Sequence, residues 1–339
     1  MRQRRAAERG HFAARASSPQ RTTRRDTERS QRRLLVLAAS VIGLFLVAVL
    51  AIGWYVSSFQ PPRRVVAEIG GEPVRLRDVI AYTKLESLTS GRLSPTTVAA
   101  ARNAYARDRV MQLRAGEVGV TVTPAEVEET LALRFEPPAP PDVEPSVVLT
   151  EAGLDFLREF LDAVDVTDDD YRAWTEGRLL VEALAHHFGD AQPEKTEQVF
   201  VHWIIAADSV DAQTAFDRVA AGDEFAAVAA DLSIEFVIGD AAGEVGWVPR
   251  GAFPEFDPQL FNPELVVGEP IGPLVTTIGS VILLVTDGPS EQPLEHDMRD
   301  LLGQTLFQEW LNEQTVELVN PLEFDLDDAV WVIDQVGAG

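Results

Sequence analysis

The residue types that most often carry chemistry are sparse in this chain, and most of their groupings read as structure. There is no cysteine in 339 residues. Disulfides, thiolate nucleophiles, zinc-thiolate centres and Cys-linked lipids are therefore excluded. The five histidines are scattered, and His186 and His187 are adjacent on a predicted helix, where they point to different faces. A zinc site is not expected from that set. The acidic run Thr167–Asp170 could suggest a cation site. It reads better as a capped helix start, with acids in the first turn favoured by the helix dipole. No serine stands in a G-x-S-x-G elbow, and the glycines of Gly239–Gly246 lack the strand-then-helix setting of a dinucleotide site. No phosphate loop appears, so no metal and no cofactor are expected. One stretch remains. It opens on an apolar, strand-like run with a single histidine, Gln198–Ile205, and continues through Gly243–Trp247, Arg250–Phe256 and Val267–Glu269. It closes on Gly272–Val285.

The elements around that stretch are set by charge and hydropathy. Residues 1–33 hold eleven arginines against three acidic residues. That local excess of +8 leaves the remainder at −33 within a formal total of −25. The tail has no apolar period and is expected to be disordered. Leu34–Val56 follows it, 23 residues without a charge. At ~1.5 Å per residue this covers a bilayer core of ~30 Å. Arg32 and Arg33 precede it and Trp54-Tyr55 end it, the pattern of an uncleaved anchor with a cytoplasmic N-terminus. A cleaved signal peptide is the rival, but its apolar region is normally ~7–15 residues with small residues at the cleavage site. The arginines then act as a topology signal, and nucleic acid is not an expected partner. The chain beyond would be extracytoplasmic.

Val65–Val74 reads as two short strands about Gly70-Gly71, followed by a helical period from Arg75 to Leu88. Ser94-Pro95 and Thr123-Pro124 each carry a helix start, cap first and proline in the first turn. Glu136–Ser146 holds five prolines and reads as a loop. Helical pattern returns over Thr150–Val164 and again after Thr167. Pro293–Leu318 reads as one amphipathic helix, with Leu294, Met298, Leu301, Thr305 and Trp310 near a stripe that Leu302 and Leu306 widen. Asn320–Gly339 is an acidic tail whose apolar end, Ala329–Ile333, is open between a strand and a docking segment.

The series from Gln198 to Val285 resembles, in order, the parvulin family of peptidyl-prolyl cis/trans isomerases. Ala67–Val79, directly after the expected anchor, resembles the start of SurA/PrsA-type extracytoplasmic foldases. The resemblance implies an α+β protein: a membrane helix, a mostly helical lobe, and an inserted domain with a small antiparallel sheet surrounded by helices. Charge and hydropathy place a basic tail over 1–33 and the anchor over 34–56, and the resemblance implies a helical foldase region over 65–190. A parvulin-like domain over 196–288, a helix over 293–319 packed back on the lobe, and an acidic tail over 320–339 would follow.

Rotation about an X-Pro bond faces a barrier of about 18–20 kcal/mol and needs no covalent step. A catalyst must bind the twisted imide better than either planar isomer, using an apolar slot and a few orienting polar groups. The resemblance supplies His202 as the first family histidine, Thr276 behind the slot, and Phe256, five residues before Phe261, as its aromatic wall. Phe253 falls near the other wall, and Trp247 joins the substrate side. Glu235 stands near the family Cys or Asp. Val281 occupies the place of the second histidine, and restoring it as Val281→His is expected to raise turnover. The bland alternatives are a half-buried strand histidine at His202, core packing at Phe253 and Phe256, and a surface carboxylate at Glu235. The resulting expectation is a membrane-anchored foldase with weak isomerase activity acting on unfolded or X-Pro-containing exported polypeptides. The alternative is a non-catalytic holdase that keeps the parvulin fold as a peptide-binding module.

Overall fold

The computed structural model describes residues 24–55, 59–138, 146–234 and 243–337, without the side chains of 24–36 and 38. It divides into two units, Met1–Pro61 and Pro62–Gly339. In the first unit a helix, α1, runs over Arg24–Trp54. The expected anchor Leu34–Val56 therefore falls partly outside the described residues, as does most of the basic tail. Among the described residues no helix is long and apolar enough to cross a membrane.

The second unit is α+β with two small antiparallel sheets. It opens with a hairpin, β1 (Val65–Ile69) and β2 (Glu72–Arg75), closed by the pair Ile69 and Glu72. Gly70 and Gly71 form the two-residue turn at φ of +58° and +84°. That left-handed geometry is what a tight hairpin needs and what glycine adopts freely. Helices α2 (Leu76–Ser90), α3 (Pro95–Arg114), α4 (Pro124–Phe135), α5 (Glu151–Val164) and α6 (Asp168–Asp190) follow. Their starts are capped where the sequence signals them. Ser94 Oγ accepts from Thr97 N at 3.2 Å. Thr123 and Glu126 form a reciprocal box, with Thr123 N donating to Glu126 Oε2 at 2.6 Å. Thr167 Oγ1 accepts from Asp170 N at 3.1 Å, so the acidic run is the first turn of α6.

The chain then enters the second sheet through β3 (Lys195–Ala206), α7 (Ser209–Ala220), α8 (Phe225–Leu232), β4 (Glu244–Pro249), the short α9 (Asp257–Leu260), β5 (Pro270–Thr276) and β6 (Gly279–Pro293). Its strand order is β4-β3-β6-β5. One face buries Val201, Trp203, Ile205, Val281 and Leu283 against Phe256 and Leu260. The other buries Ile204, Ala206 and Ile282 against Ala212 and Ala215 of α7 and Val228 and Ala229 of α8.

Helix α10 (His296–Leu318) begins three residues later than the sequence period suggests, because β6 continues through Pro293. It also has two apolar faces rather than a single stripe. Met298 and Leu301 pack on the sheet core, while Phe307 and Leu311 enter the helical core of α2, α3 and α6. The acidic end of the chain is folded. β7 (Val319–Pro321) pairs with β1 to complete the sheet β2-β1-β7, and α11 (Leu326–Gly337) buries Ala329 and Val332 in the helical core. Arg64 Nη1 meets the buried Asp328 carboxylate at 2.9 Å.

Candidate functional site

The residues singled out from the sequence do not converge on one point. Strand alternation sends neighbouring side chains to opposite faces, and β3 is apolar on both. His202 is half-buried on the α7–α8 face, its ring 5.5 Å from Phe200 and 5.9 Å from Phe225. Phe200 in turn meets Trp247 edge-on at 5.4 Å. Phe253 and Phe256 are on the other face, where Phe253 packs edge-on against Trp203 at 5.2 Å and lies 6.4 Å from Phe256. Phe256, read from the sequence as the wall of an open slot, is only 2% exposed. It belongs to the sheet core against which Met298 and Leu301 of α10 also pack.

Val281 is fully buried beside Phe256. It pairs with Ile205, whereas His202 pairs with Leu284. A histidine at 281 would therefore face away from His202, across the sheet. Thr276 Oγ1 donates to Gly279 O at 2.8 Å and accepts from Ile278 N at 3.2 Å, which ties the β5–β6 turn. Glu235 lies outside the described residues.

A different feature has the dimensions of a binding site. An open cleft of about 900 Å³ lies between α6 and α10, with Arg107 of α3 and Thr130 of α4 on its margin. Its apolar surface comes from Leu179, Val181, Leu301 and Phe307, and its polar surface from groups that include Arg178, Glu182, His186, Gln304 and Gln308. The two helices that build it touch through glycines. A Cβ on Gly303 would lie 2.4 Å from Ala185 O and 2.8 Å from Gly189 N. Arg299 caps the end of α6, donating to Gly189 O at 3.2 Å and Gln192 O at 2.9 Å. Thr305 lines the cleft and its Oγ1 reaches Ala252 O at 3.4 Å, so the cleft adjoins the segment that carries Phe253.

Behind the cleft a carboxylate is buried. Asp108 of α3 is 1% exposed. Its Oδ2 accepts from Tyr82 Oη at 3.1 Å and its Oδ1 from Arg107 Nε at 3.2 Å. It fits only because α6 carries Gly177 there: a Cβ at that position would sit 2.3 Å from Oδ2. Burial pushes the Asp108 carboxyl up to about 6 against the pull of Arg107, and pushes the Tyr82 hydroxyl up as well. Sequence reading passed over this group. Its one signal was a glycine inside a helix, a position that costs about 1 kcal/mol relative to alanine unless something needs the space.

No family model matches the chain. It is 30% identical over 146 residues to the foldase protein PrsA of Halalkalibacterium halodurans, covering 42% of this chain and 38% of that one. It is 28% identical over 141 residues to the foldase protein PrsA of Caldanaerobacter subterraneus subsp. tengcongensis, covering 41% of this chain and 40% of that one. The match thus spans about two fifths of each of these relatives. Among solved structures, the peptidylprolyl isomerase PrsA of Bacillus anthracis aligns with a TM-score of 0.37 at 14% identity, over 68% of this chain and 92% of that one. The parvulin of Nitrosopumilus maritimus aligns with a TM-score of 0.25 at 22% identity, over 28% of this chain and all of that one. The chain is therefore related in sequence to PrsA-type foldases, the likeness read from its motifs.

Proposed function

We propose that this protein is a foldase that takes unfolded exported polypeptides, X-Pro-containing ones among them, into the cleft between α6 and α10. The observation that carries the reading is the cleft itself. Its volume of about 900 Å³ is near the top of the roughly 300–1,000 Å³ range of small-molecule sites, and it is open rather than enclosed. It combines apolar floor residues with amide and charged groups along two helices, a surface that suits an extended chain of varied sequence.

In this reading the parvulin-like segment over 196–288 is a packed module with little isomerase turnover. Catalysis requires a slot that binds the twisted imide. Phe256 is enclosed, Val281 is buried where the second family histidine would stand, and His202 faces the other side of the sheet. The helical region over 65–190, the helix over 293–319 and the end of the chain form the rest of the foldase. Leu34–Val56 anchors it, with the arginine tail in the cytoplasm and Pro62 onward outside.

Two experiments on the full chain test this. The first measures suppression of client aggregation alongside a protease-coupled assay on X-Pro peptides. Suppression with little rate enhancement supports the reading, while strong enhancement lost in His202→Ala sinks the low-turnover part. The second introduces single cysteines into this cysteine-free chain on each side of residues 34–56 and labels intact cells. Equal labelling of both sides sinks the topology.

A further inference from the structure

Asp108 and Arg107 link the buried core of α2, α3 and α6 to the cleft. Asp108 is enclosed among α2, α3 and α6, with no room beside Gly177. Arg107, its partner through Nε at 3.2 Å, has a side chain 36% exposed and stands on the margin of the cleft. The titratable and charged groups facing Asp108 are Tyr82 from α2, Arg107 from its own helix and Arg178 from α6. Arg178 also lines the cleft, stacks over Trp174 at 5.6 Å, and forms no ion pair among the described residues. A buried carboxylate thus sets the charge balance of two cleft arginines without itself touching the cleft.

We propose that Asp108 is a proton-operated control on the charge the cleft presents to a client, acting through Arg107. With Asp108 ionised, Arg107 is held against it and its charge is offset. With Asp108 protonated, Oδ1 no longer competes for the guanidinium, and Arg107 turns to a carboxylate on the bound chain. The cleft then favours segments in which acidic residues flank an apolar stretch, and favours them more as the pH falls. This inference rests on the cleft being the client site.

The test uses the full chain in detergent micelles, with His186→Gln as background to remove the histidine on the cleft rim. The probe is a labelled peptide with glutamates flanking a leucine- and phenylalanine-rich stretch, compared with its glutamine counterpart. Binding is followed by anisotropy from about pH 7.5 to about pH 5, either side of the Asp108 midpoint but above the ordinary range of the peptide carboxylates. The glutamate peptide should tighten about two- to fivefold over that range, the worth of one exposed ion pair, and the glutamine peptide should not. Asp108→Asn should bind the glutamate peptide at the tighter level throughout. Arg107→Gln should remain at the weaker level, which separates loss of the switch from loss of the fold. A pH profile that survives in either variant overturns the proposal and leaves the cleft as the client site. Failure of both peptides to bind at any pH overturns the proposal together with the function it rests on.

Discussion

Replacing Gly177 by alanine tests the buried carboxylate more directly than removing it. In the interior of a helix this change normally stabilises by about 1 kcal/mol, because glycine loses more backbone entropy on folding. Here the new methyl would lie 2.3 Å from Asp108 Oδ2, 2.5 Å from Cγ and 3.0 Å from Cβ. The carboxylate cannot retreat freely, being held by Tyr82 Oη at 3.1 Å and Arg107 Nε at 3.2 Å. Overpacking of this kind costs about 1–3 kcal/mol, and breaking a hydrogen bond to a charged group adds about 1.5–3 kcal/mol. Set against the helix gain, Gly177→Ala should destabilise by roughly 1.5–5 kcal/mol. In an Asp108→Ala background the two shortest contacts are gone and only the 3.0 Å approach to Cβ remains, so the same substitution should cost much less. Urea unfolding followed by the fluorescence of Trp174, three residues away on α6, gives the four corners of that cycle. A Gly177→Ala protein as stable as the parent, or additivity between the two changes, would refute the packing described for Asp108.

Further outcomes follow from the same geometry. Asp108 holds its proton more tightly folded than unfolded, so it favours folding in acid and costs stability as the pH rises through about 4 to about 6. A shift from 3.8 to about 6 corresponds to about 3 kcal/mol, and Asp108→Asn should remove that slope from a series of urea midpoints. Val281→His should lower stability by about 1–3 kcal/mol or more, since it buries a polar ring without a partner, and should not raise X-Pro turnover. A folded variant with raised turnover in the protease-coupled assay would contradict the placement of His202 and Val281 on opposite faces. Phe256→Ala should cost about 3–5 kcal/mol, as expected for a buried ring, so thermal unfolding rather than loss of activity is the informative readout. Gly303→Ala should be poorly tolerated because the atoms it meets are the backbone of α6, which cannot rotate away, and its melting temperature checks this.

What was legible in the sequence is what is encoded locally. The caps at Ser94, Thr123 and Thr167 and the Gly70-Gly71 turn each depend on residues within a few positions of one another. The α+β class with small antiparallel sheets was implied by the resemblance of Gln198–Val285 to the parvulin family. Which face His202 occupies was not legible, because a strand buried on both sides shows no alternation and its pairing with Leu284 is set by a partner some eighty residues away. The same reason hid the two faces of α10, which read as one broad stripe until two cores claimed it. The acidic composition of the last twenty residues masked a helix that seats Ala329 and Val332 in the helical core, with Trp331, Ile333 and Val336 packed against it.

The position of β1 between β2 and β7 has a consequence for how the molecule comes into being. Its two partners are made at very different times: β2 follows at once, while Asn320, which contacts Glu68, lies 252 residues further on. Closing so long a loop is slow, and until it closes β1 presents an open strand edge. The sheet formed by β3 to β6, and α10 after it, are complete in the nascent chain before β7 exists. The helical lobe is thus the last part to be finished although it is the first to be synthesised. A chain interrupted before residue 319 would keep its inserted sheet yet expose the adhesive edge and unfilled helical core of an unfinished protein.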